Sequence, residues 1–377
     1  MLKRSAAHPA RHITAAEAAQ LVQSGMWVDY GGVLCQPDEF DKALAARRDE
    51  LQDVKIRTCL STRPRAVFEE DPEGKHFYGL SLHFSGYDRR QHDTGRMGYL
   101  PVNLGEIPDY YRRFIEPVGV LVLRTCRMDA DGFFNFSAAN LWHRAAIERA
   151  RCVIVEVTDG LPHCPGVDNA VHVSEVDYII EGDNHPAPVL PNPPASDVDR
   201  AVGRLIAARI KDGACLQIGI GGMPNAVCTE LLNSEAKDLG VHTEMMTDGI
   251  VDLYKAGRIN GACKQTHAGK LTYTFALGSA DLYATLHRNP DFLCLPVDQT
   301  NLPANILMND RVVSINNTTQ IDLQGQAGLA AILAAQAAAV PWSLNSRQMQ
   351  AWLYEAGGGR FNPSHVRASR GCCNIFF

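Results

Sequence analysis

The sequence predicts an α/β protein with two similar open domains, each built on a mostly parallel sheet. Short apolar runs of strand length alternate with segments of helical periodicity, and the order helix, strand, glycine turn, helix occurs in both halves. A proline-rich stretch without periodicity, residues 184–196, separates the halves. The predicted domains are therefore residues 1–190 and 197–326, followed by a tail of different character over residues 327–377.

The first domain is predicted to begin with a helix over residues 14–25. Thr14 is placed to cap this helix, Glu17 stands at the capping-box position, and Gly25 ends it. The next strand, residues 26–30, runs into a pair of glycines. The further elements expected in this domain are helices at 38–46 and 138–149 and strands at 54–60, 119–123 and 152–157.

Residues 77–114 interrupt this alternation. The segment is rich in aromatic residues, His and Arg, and it is predicted to be less regular and rich in loops, with a functional or oligomer-contact role. Its basic cluster consists of Arg89, Arg90 and Arg96 with Tyr87 and Tyr99. This cluster indicates either an anion-binding or interface loop, or a solvated surface loop.

The second domain is predicted to open with a helix over residues 197–211, which Ser196 caps and Gly213 ends. Its expected strands are at 215–220, 271–275, 292–297 and 312–315. Beyond residue 326 the sequence shows neither a strand period nor a good helix face. The tail is therefore not assigned to a sheet.

Composition and charge limit the classes of function. The net charge of −6 and the pI of about 6.1 argue against a general role in binding nucleic acid or an anionic membrane. The 11 cysteines are scattered, include no CxxC pair and give little support for a zinc site, which is typical of reduced cysteines in a cytoplasmic protein. No apolar run resembles a membrane span or a signal peptide, so we expect neither.

The turn after the strand that begins at Cys215 is a candidate binding site. It reads Gly219, Ile220, Gly221, Gly222, Met223, Pro224, Asn225. No Gly-Lys-Ser/Thr follows, and Pro224 occupies the third glycine position of a dinucleotide fingerprint, so nucleotide hydrolysis and NAD binding are disfavoured. Two interpretations remain: backbone amides at a helix start that hold an anion or a developing oxyanion, or a tight turn whose glycines supply positive φ.

Glu244 is the candidate catalytic residue. It follows the next apolar strand of the same βαβ unit, so we expect it at the carboxyl end of a parallel strand near the glycine turn, where open sheets bind ligands. It is either a solvated or helix-starting glutamate, or a nucleophilic carboxylate whose reactivity rises among apolar neighbours such as Met245 and Met246. Asp248 is predicted to cap the helix that follows.

Other polar residues near this stretch leave alternatives open. His242 and His267 are either metal ligands or polar residues that line the site or the core, and the lack of a supporting Cys or Asp pattern favours the second interpretation. Lys270 and Arg258 either meet a phosphate group or have an ordinary solvated role.

Taken together, these segments resemble the acetyl-CoA hydrolase/transferase family, the family I CoA-transferases. The resemblance runs through LQIGIGGMPNAV, VHTEMMTDGIVDLYKAG, THAGKLTYTFALGS and LPVDQTNLP, and through RMDADGFFNFS in the first half. It covers nearly all of residues 14–326. The segment SLHFSGYDRR looks closest to the butyryl-CoA:acetate branch, and 4-hydroxybutyrate CoA-transferase is another member of the family.

The resemblance implies a CoA-transferase-like fold in which Glu244 is the nucleophile and the turn from Gly219 lies by the CoA site. The implied reaction is ping-pong: a short-chain acyl-CoA passes its CoA to Glu244 as a glutamyl-CoA thioester, and a carboxylate such as acetate then takes it. This exchange needs no ATP, no metal and no permanently bound cofactor, because CoA is a substrate. A homo-oligomer is expected from the same resemblance.

The tail departs from the family. After the motif DLQGQ, residues 322–326, family members continue into a second glycine-rich segment, whereas this tail looks truncated or read in a shifted frame. The second domain is therefore predicted to be incomplete, with an unpaired sheet edge. Three functions remain open: CoA transfer, acyl-CoA hydrolysis if water takes the intermediate, and an inactive CoA-binding or assembly protein.

Overall fold

A computed structural model describes residues 10–191, 194–317, 320–321, 327–328 and 374–376. The chain divides into two compact units, one of Met1–Pro188 with Leu286–Arg288 and one of Val189–Thr285 with Asn289–Phe377. Both units combine helices with mostly parallel strands, which confirms the predicted α/β class. Most of the tail predicted from residue 327 lies outside the described residues. Within the described chain, no helix is long and apolar enough to cross a membrane.

The first unit alternates strands and helices along the chain. Its strands are β1 (Arg11–His12), β2 (Trp27–Tyr30), β3 (Val54–Thr58), β4 (Phe77–Ser81), β5 (Met97–Tyr99), β6 (Val120–Cys126), β7 (Phe133–Asn135), β8 (Cys152–Thr158), β9 (Ala170–His172) and β10 (Tyr178–Glu181). Its helices are α1 (Ala15–Ala19), α2 (Glu39–Ala45), α3 (Ala66–Glu69), α4 (Gly86–Asp93), α5 (Ile107–Arg113) and α6 (His143–Arg149). The main sheet has the order β1-β10-β8-β6-β2-β3-β4-β5 and is parallel throughout.

Residues 77–114 are more regular than predicted. They form β4, α4, β5 and α5, and the two strands complete one side of the main sheet. Ser85 caps α4 in a capping box with Asp88. The prediction of a loop-rich segment was wrong because these elements are short, and their aromatic and basic side chains obscure the apolar period on which the prediction depended.

A buried ion pair lies inside the first unit. The Arg57 guanidinium donates to both carboxylate oxygens of Asp29, at 3.0 and 2.8 Å, and the Tyr111 hydroxyl donates to the same carboxylate at 2.6 Å. All three side chains are almost fully buried. Burial raises the pKa of Asp29, and the Arg57 charge with the Tyr111 hydrogen bond opposes that rise.

The second half of the chain repeats the alternation with shorter strands. The strands are β11 (Cys215–Ile218), β12 (Gly240–Val241), β13 (Met245–Met246), β14 (Leu271–Tyr273), β15 (Phe275–Ala276), β16 (Phe292–Cys294), β17 (Val312–Asn316), β18 (Gln320–Ile321), β19 (Ala327–Gly328) and β20 (Asn374–Phe376). The helices are α7 (Asp197–Ala207), α8 (Gly222–Leu232), α9 (Asp248–Lys255), α10 (Ala280–Leu286), α11 (Val297–Asn301) and α12 (Pro303–Ile306). Ser196 caps α7 as predicted.

The sheet of the second unit reverses its order at β11. Strand β12 lies on one side of β11, and a bridge between His242 and Thr272 continues that side into β14 and β16. Strand β17 is later in the chain but pairs in parallel with the opposite side of β11. The carboxyl end of β11 is therefore a topological switch point, the place where open α/β sheets bind ligands.

One segment of the tail does join this sheet. Strand β20 pairs in antiparallel fashion with β17, with Ile315 opposite Ile375. The sequence left the tail unassigned, and these three residues are the part of it that lies beside β17. Their distance in sequence from the rest of the sheet hid the pairing.

Candidate active site

The glycine turn occupies the switch point of the second unit. Strand β11 ends at Ile218, the Gly219 amide donates to Ile315 O at 2.8 Å, and α8 begins at Gly222. Gly221 precedes the helix with φ +113° and ψ −177°, a conformation that essentially only glycine adopts. The turn thus has both features that the sequence left as alternatives: it is strained for any side chain, and it opens a helix.

The first turn of α7 approaches the glycine turn closely. A Cβ atom on Gly222 would lie 2.7 Å from Asp199 Oδ2. Helix α8 spans 11 residues, and at its start the amides of Gly222 and Met223 have no acceptor inside the helix, whereas Pro224 has no N–H and the Asn225 amide donates to Gly221 O. Those N–H groups lie at the positive end of the helix dipole and can bind an anionic group.

Glu244 lies where the chain passes from one strand to another. His242 pairs with Thr272 of β14, and Met245 pairs with Phe275 of β15. Between them, the Glu244 carbonyl accepts hydrogen bonds from the amides of Thr274 and Phe275, at 3.0 and 3.2 Å. Glu244 thus lies beyond the carboxyl end of β12, and β12 is the parallel neighbour of the strand that carries the glycine turn.

The Glu244 side chain is partly buried, and within the described ranges of the chain it has one polar partner. Asn301 Nδ2 donates to Glu244 Oε2 at 2.5 Å. Burial raises the pKa of Glu244, and the hydrogen bond from Asn301 opposes this rise because it favours the charged carboxylate. Met245 and Met246 follow in the chain and are both buried. The carboxylate is therefore poorly solvated, a condition that makes an ionised oxygen more nucleophilic.

Asn301 belongs to a chain of hydrogen bonds that returns to the strand of Glu244. The Thr300 hydroxyl donates to Asn301 Oδ1 at 2.8 Å, and His242 Nε2 lies 2.9 Å from Thr300 O. Sequence reasoning assigned no role to Asn301, although it stands in the quoted segment LPVDQTNLP. No pattern links it to a glutamate 57 residues earlier, so only the tertiary structure shows the pair.

His242 is a buried polar residue with protein groups around its ring. Its Nδ1 lies 3.5 Å from Asn309 Nδ2, so both ring nitrogens face protein groups. Burial lowers the pKa of His242 to about 4, so the ring is neutral near pH 7. Among the described residues, no group of three or more His, Cys, Asp or Glu side chains is arranged to hold a metal ion.

Lys264 is a buried lysine that the sequence did not single out. Its ammonium group donates to Val241 O, Lys270 O and Thr272 Oγ1 at 2.8, 2.9 and 3.0 Å. It thereby links β12 to β14, which share only one bridge. Burial lowers the pKa of Lys264 to about 8. This lysine therefore stabilises the pairing of β14 with β12, the strand that leads to Glu244.

The remaining predicted site residues have structural partners. Asp248 was predicted to cap α9, but its side chain makes no capping hydrogen bond. It accepts instead from the Ser279 amide and hydroxyl. Lys270 Nζ donates to Pro290 O at 2.8 Å, and Arg258 donates to Leu232 O at 3.2 Å. His267 lies in the loop before β14. Lys270 and Arg258 therefore each donate to a backbone carbonyl within the second unit.

The basic cluster of the first unit is also engaged in local contacts. Arg96 donates to Phe68 O at 2.8 Å, and the Arg90 guanidinium lies 5.9 Å from the centre of the Tyr87 ring. The Tyr87 hydroxyl donates to Glu69 at 2.7 Å. These contacts fit the interpretation of a solvated surface segment around α4 better than that of a site built to bind an anion.

Comparison with known proteins identifies relatives that match most of the chain. Models of the acetyl-CoA hydrolase/transferase N-terminal and C-terminal domains match residues 2–191 and 278–345. The butyryl-CoA:acetate CoA-transferase of Anaerostipes caccae is 43% identical over 315 residues, which are 83% of this chain and 71% of that protein. The 4-hydroxybutyrate coenzyme A transferase of Clostridium kluyveri is 34% identical over 314 residues, 83% of this chain and 72% of that protein.

Solved structures of similar proteins share the fold. The crystal structure of RipA from Yersinia pestis superposes with a TM-score of 0.76 at 30% identity, covering 83% of this chain and 73% of that one. The resemblance inferred from the quoted motifs is therefore confirmed, as is the predicted fold class.

Proposed function

Because the chain belongs to the acetyl-CoA hydrolase/transferase family, we propose that it moves CoA between a short-chain acyl-CoA and a carboxylate such as acetate, by a ping-pong reaction through Glu244. The observation that carries this proposal is the poorly solvated Glu244 carboxylate, held by Asn301 at the carboxyl edge of the sheet. The predicted enzyme class, a CoA-transferase, is confirmed by relatives 34–43% identical over most of the chain. Those relatives are named for butyryl-CoA, acetate and 4-hydroxybutyrate.

The first half-reaction needs an ionised carboxylate and no external base. A carboxylate oxygen of Glu244 attacks the thioester carbonyl, the C–S bond breaks, and CoA leaves as a thiolate. The thiolate then attacks the glutamyl carbonyl of the mixed anhydride and expels the acyl group as a free carboxylate. The product is a glutamyl-CoA thioester, and the bond energy of the thioester is conserved.

The second half-reaction reverses these steps with another acid. The incoming carboxylate attacks the glutamyl-CoA carbonyl and releases the thiolate, which attacks the acyl carbonyl of the new anhydride. Glu244 returns as a free carboxylate, and the new acyl-CoA leaves. Each attack places negative charge on a carbonyl oxygen, so nearby N–H donors lower the barrier.

The glycine turn is the proposed contact for CoA. Its residues from Gly219 to Asn225 lie at the switch point, one parallel strand from Glu244. The amides of Gly222 and Met223 at the start of α8 can bind an anionic group of CoA or an oxyanion. Gly221 supplies the positive φ of the turn, and the absence of a Cβ atom on Gly222 leaves room for Asp199 of α7.

One assay tests the proposed reaction against its main alternative. The protein is incubated with butyryl-CoA, with and without acetate, and acetyl-CoA and free CoA are measured. We expect acetyl-CoA to form only when acetate is present. Release of one free CoA for each butyryl-CoA consumed, without acetate, would instead establish hydrolysis. If no acyl-CoA tested were turned over, the proposed enzyme activity would be contradicted.

A substitution at Asn301 tests the electrostatic role of its amide. Asn301→Ala removes the hydrogen bond that favours the charged Glu244, so the pKa of Glu244 rises further. Because the reaction needs the carboxylate, activity is lost as the pH falls through that pKa, and the variant loses it at a higher pH than the wild type. We expect kcat/KM at neutral pH to fall by about 10- to 100-fold, the effect of one hydrogen bond to a charged group.

Asn260→Ala is the matched control for this test. Asn260 Nδ2 also donates to a carboxylate, that of Asp238 at 2.8 Å, but on the exposed surface of the same unit. The control is expected to keep the wild-type pH–rate profile. An unchanged acid limb in Asn301→Ala, measured from pH 4.5 to 8, would exclude the proposed role of the amide.

A further inference from the structure

We propose that Thr300 and His242 are positioning residues that determine which end of the Asn301 amide faces Glu244. This inference rests on the proposed function, because it concerns the orientation of a group that acts on the nucleophile. It starts from three contacts in series: His242 Nε2 to Thr300 O at 2.9 Å, the Thr300 hydroxyl to Asn301 Oδ1 at 2.8 Å, and Asn301 Nδ2 to Glu244 Oε2 at 2.5 Å. Neither Thr300 nor His242 touches the Glu244 carboxylate in these contacts.

The amide of Asn301 has two ends of opposite character. Its NH₂ group stabilises an ionised Glu244, whereas its oxygen would repel that carboxylate. Some other contact must therefore fix the orientation in which the amide nitrogen faces Glu244. The Thr300 hydroxyl provides this contact, because the hydrogen that it donates can be accepted by the amide oxygen but not by the NH₂ group.

The hydroxyl of Thr300 has a second acceptor within reach. It lies 3.2 Å from Val297 O, in the preceding turn of α11, and it has one hydrogen to donate. The contact with Asn301 is shorter by 0.4 Å (3.2 − 2.8 Å), which favours donation to the amide. If the hydrogen went to Val297 instead, the lone pairs of Thr300 would attract the NH₂ group of Asn301 and turn its oxygen toward Glu244.

His242 holds the backbone of Thr300 in place. Nε2–H donates to Thr300 O, and Asn309 Nδ2 faces Nδ1, which defines one neutral tautomer. His242 stands two residues before Glu244 in the chain. The contact thus joins the end of α11 to the strand segment that carries the nucleophile. Two hydrogen bonds, from His242 to Thr300 and from Asn301 to Glu244, therefore oppose a shift of α11 relative to Glu244.

The first test compares Thr300→Val with Thr300→Ser. Valine has the shape of threonine but no donor, so it fits the buried site and leaves Asn301 Oδ1 unpaired. We expect kcat for CoA transfer to fall by roughly tenfold or more, with little change in KM for the acyl-CoA. Serine keeps the hydroxyl and is expected to restore most of the lost rate. If Thr300 had a purely structural role, the two variants would have the same kcat whenever their melting temperatures were equal.

Thr285→Val is the matched control, because Thr285 is a half-buried helical threonine whose hydroxyl donates to a backbone carbonyl, Asp281 O at 2.8 Å, and not to Asn301. It is expected to leave kcat unchanged. Equal kcat values for Thr300→Val and Thr300→Ser, within twofold, would overturn the proposal while the wild type remained active. A wild type without CoA-transfer activity would instead overturn the proposed function, so the two failures are distinguishable.

A second pair keeps the test valid if Thr300→Val does not fold. In His242→Gln the side-chain nitrogen can reach the position of Nε2 and keep a donor to Thr300 O, whereas in His242→Asn the shorter side chain cannot. We expect His242→Gln to keep a kcat at least about threefold higher than that of His242→Asn. The reverse order, with both proteins folded by circular dichroism, would contradict the positioning role.

Discussion

Glu244→Gln is expected to abolish CoA transfer, lowering kcat by on the order of 10⁴-fold or more. Glutamine matches glutamate in shape, and its amide oxygen can still accept the hydrogen bond from Asn301. Its uncharged amide cannot attack a thioester, so the covalent route is lost while the fold is retained. Steady-state rates of acetyl-CoA formation from butyryl-CoA and acetate measure the loss.

The same variant has a direct chemical readout. When the wild type is incubated with acyl-CoA in the absence of an acceptor acid, its denatured mass is expected to include a fraction heavier by one covalently bound CoA, less water. Glu244→Gln is expected to show no such species. Glu235→Gln, which alters an exposed glutamate of the same unit, should retain both the adduct and the rate. An adduct that persisted in Glu244→Gln would place the nucleophile elsewhere.

Glu244→Asp separates charge from position. Aspartate keeps the carboxylate but is shorter by one methylene group, so it draws back from both Asn301 and the substrate. An activity between those of the wild type and Glu244→Gln is expected, since misplacement of a reacting group by about 1 Å can cost about 100-fold in rate. This order of activities would support a nucleophile whose geometry is fixed by its surroundings.

The fold was largely predictable because local signals agree with it. Thr14 forms the predicted capping box, Ser196 caps α7 as predicted, and the glycine turn follows β11 and opens α8 as expected. These features depend on residues within a few positions of one another. Local signals were less reliable for element ends: α1 stops at Ala19, well before Gly25, because the chain turns away after Gln20.

The site was predictable only in part, because its partners are far apart in sequence. Glu244 could be selected from its motif and from its place after a strand. Asn301 could not be selected in this way, since nothing in the sequence shows that the last residue of α11 lies beside Glu244. Asp248 was misassigned for a similar reason: Ser279, which lies 31 residues away, offers its carboxylate two donors that a local capping argument does not include.

The buried pair of the first unit shows how a charged group is tolerated inside such a fold. Asp29 lies on the central strand β2 with a fully buried carboxylate, and Arg57 on the adjacent strand β3 donates two hydrogen bonds to it. The Arg57 guanidinium also lies 4.3 Å from the centre of the Trp27 ring. Removal of Arg57 would leave Asp29 buried with only the Tyr111 hydroxyl as a polar partner among these contacts.

Arg57→Met is therefore expected to destabilise the protein by about 3–5 kcal/mol, the range found when one partner of a buried ion pair is removed. Methionine keeps much of the side-chain volume, so the loss comes mainly from the unpaired Asp29. Urea unfolding followed by circular dichroism measures the change. Arg127→Met is the control: Arg127 pairs with Asp159 and Glu181 on the surface, and its loss should cost no more than about 1 kcal/mol.

The double variant Asp29→Asn with Arg57→Met identifies the cause of the loss. Asparagine is neutral, so it removes the buried charge that Arg57→Met leaves without a partner, and its side chain can still accept the Tyr111 hydrogen bond. We expect the double variant to be more stable than Arg57→Met alone, even though it carries one more substitution. If it were less stable by the full cost of a second independent change, the instability of Arg57→Met would have to be assigned to lost packing against Trp27 and not to the orphaned carboxylate.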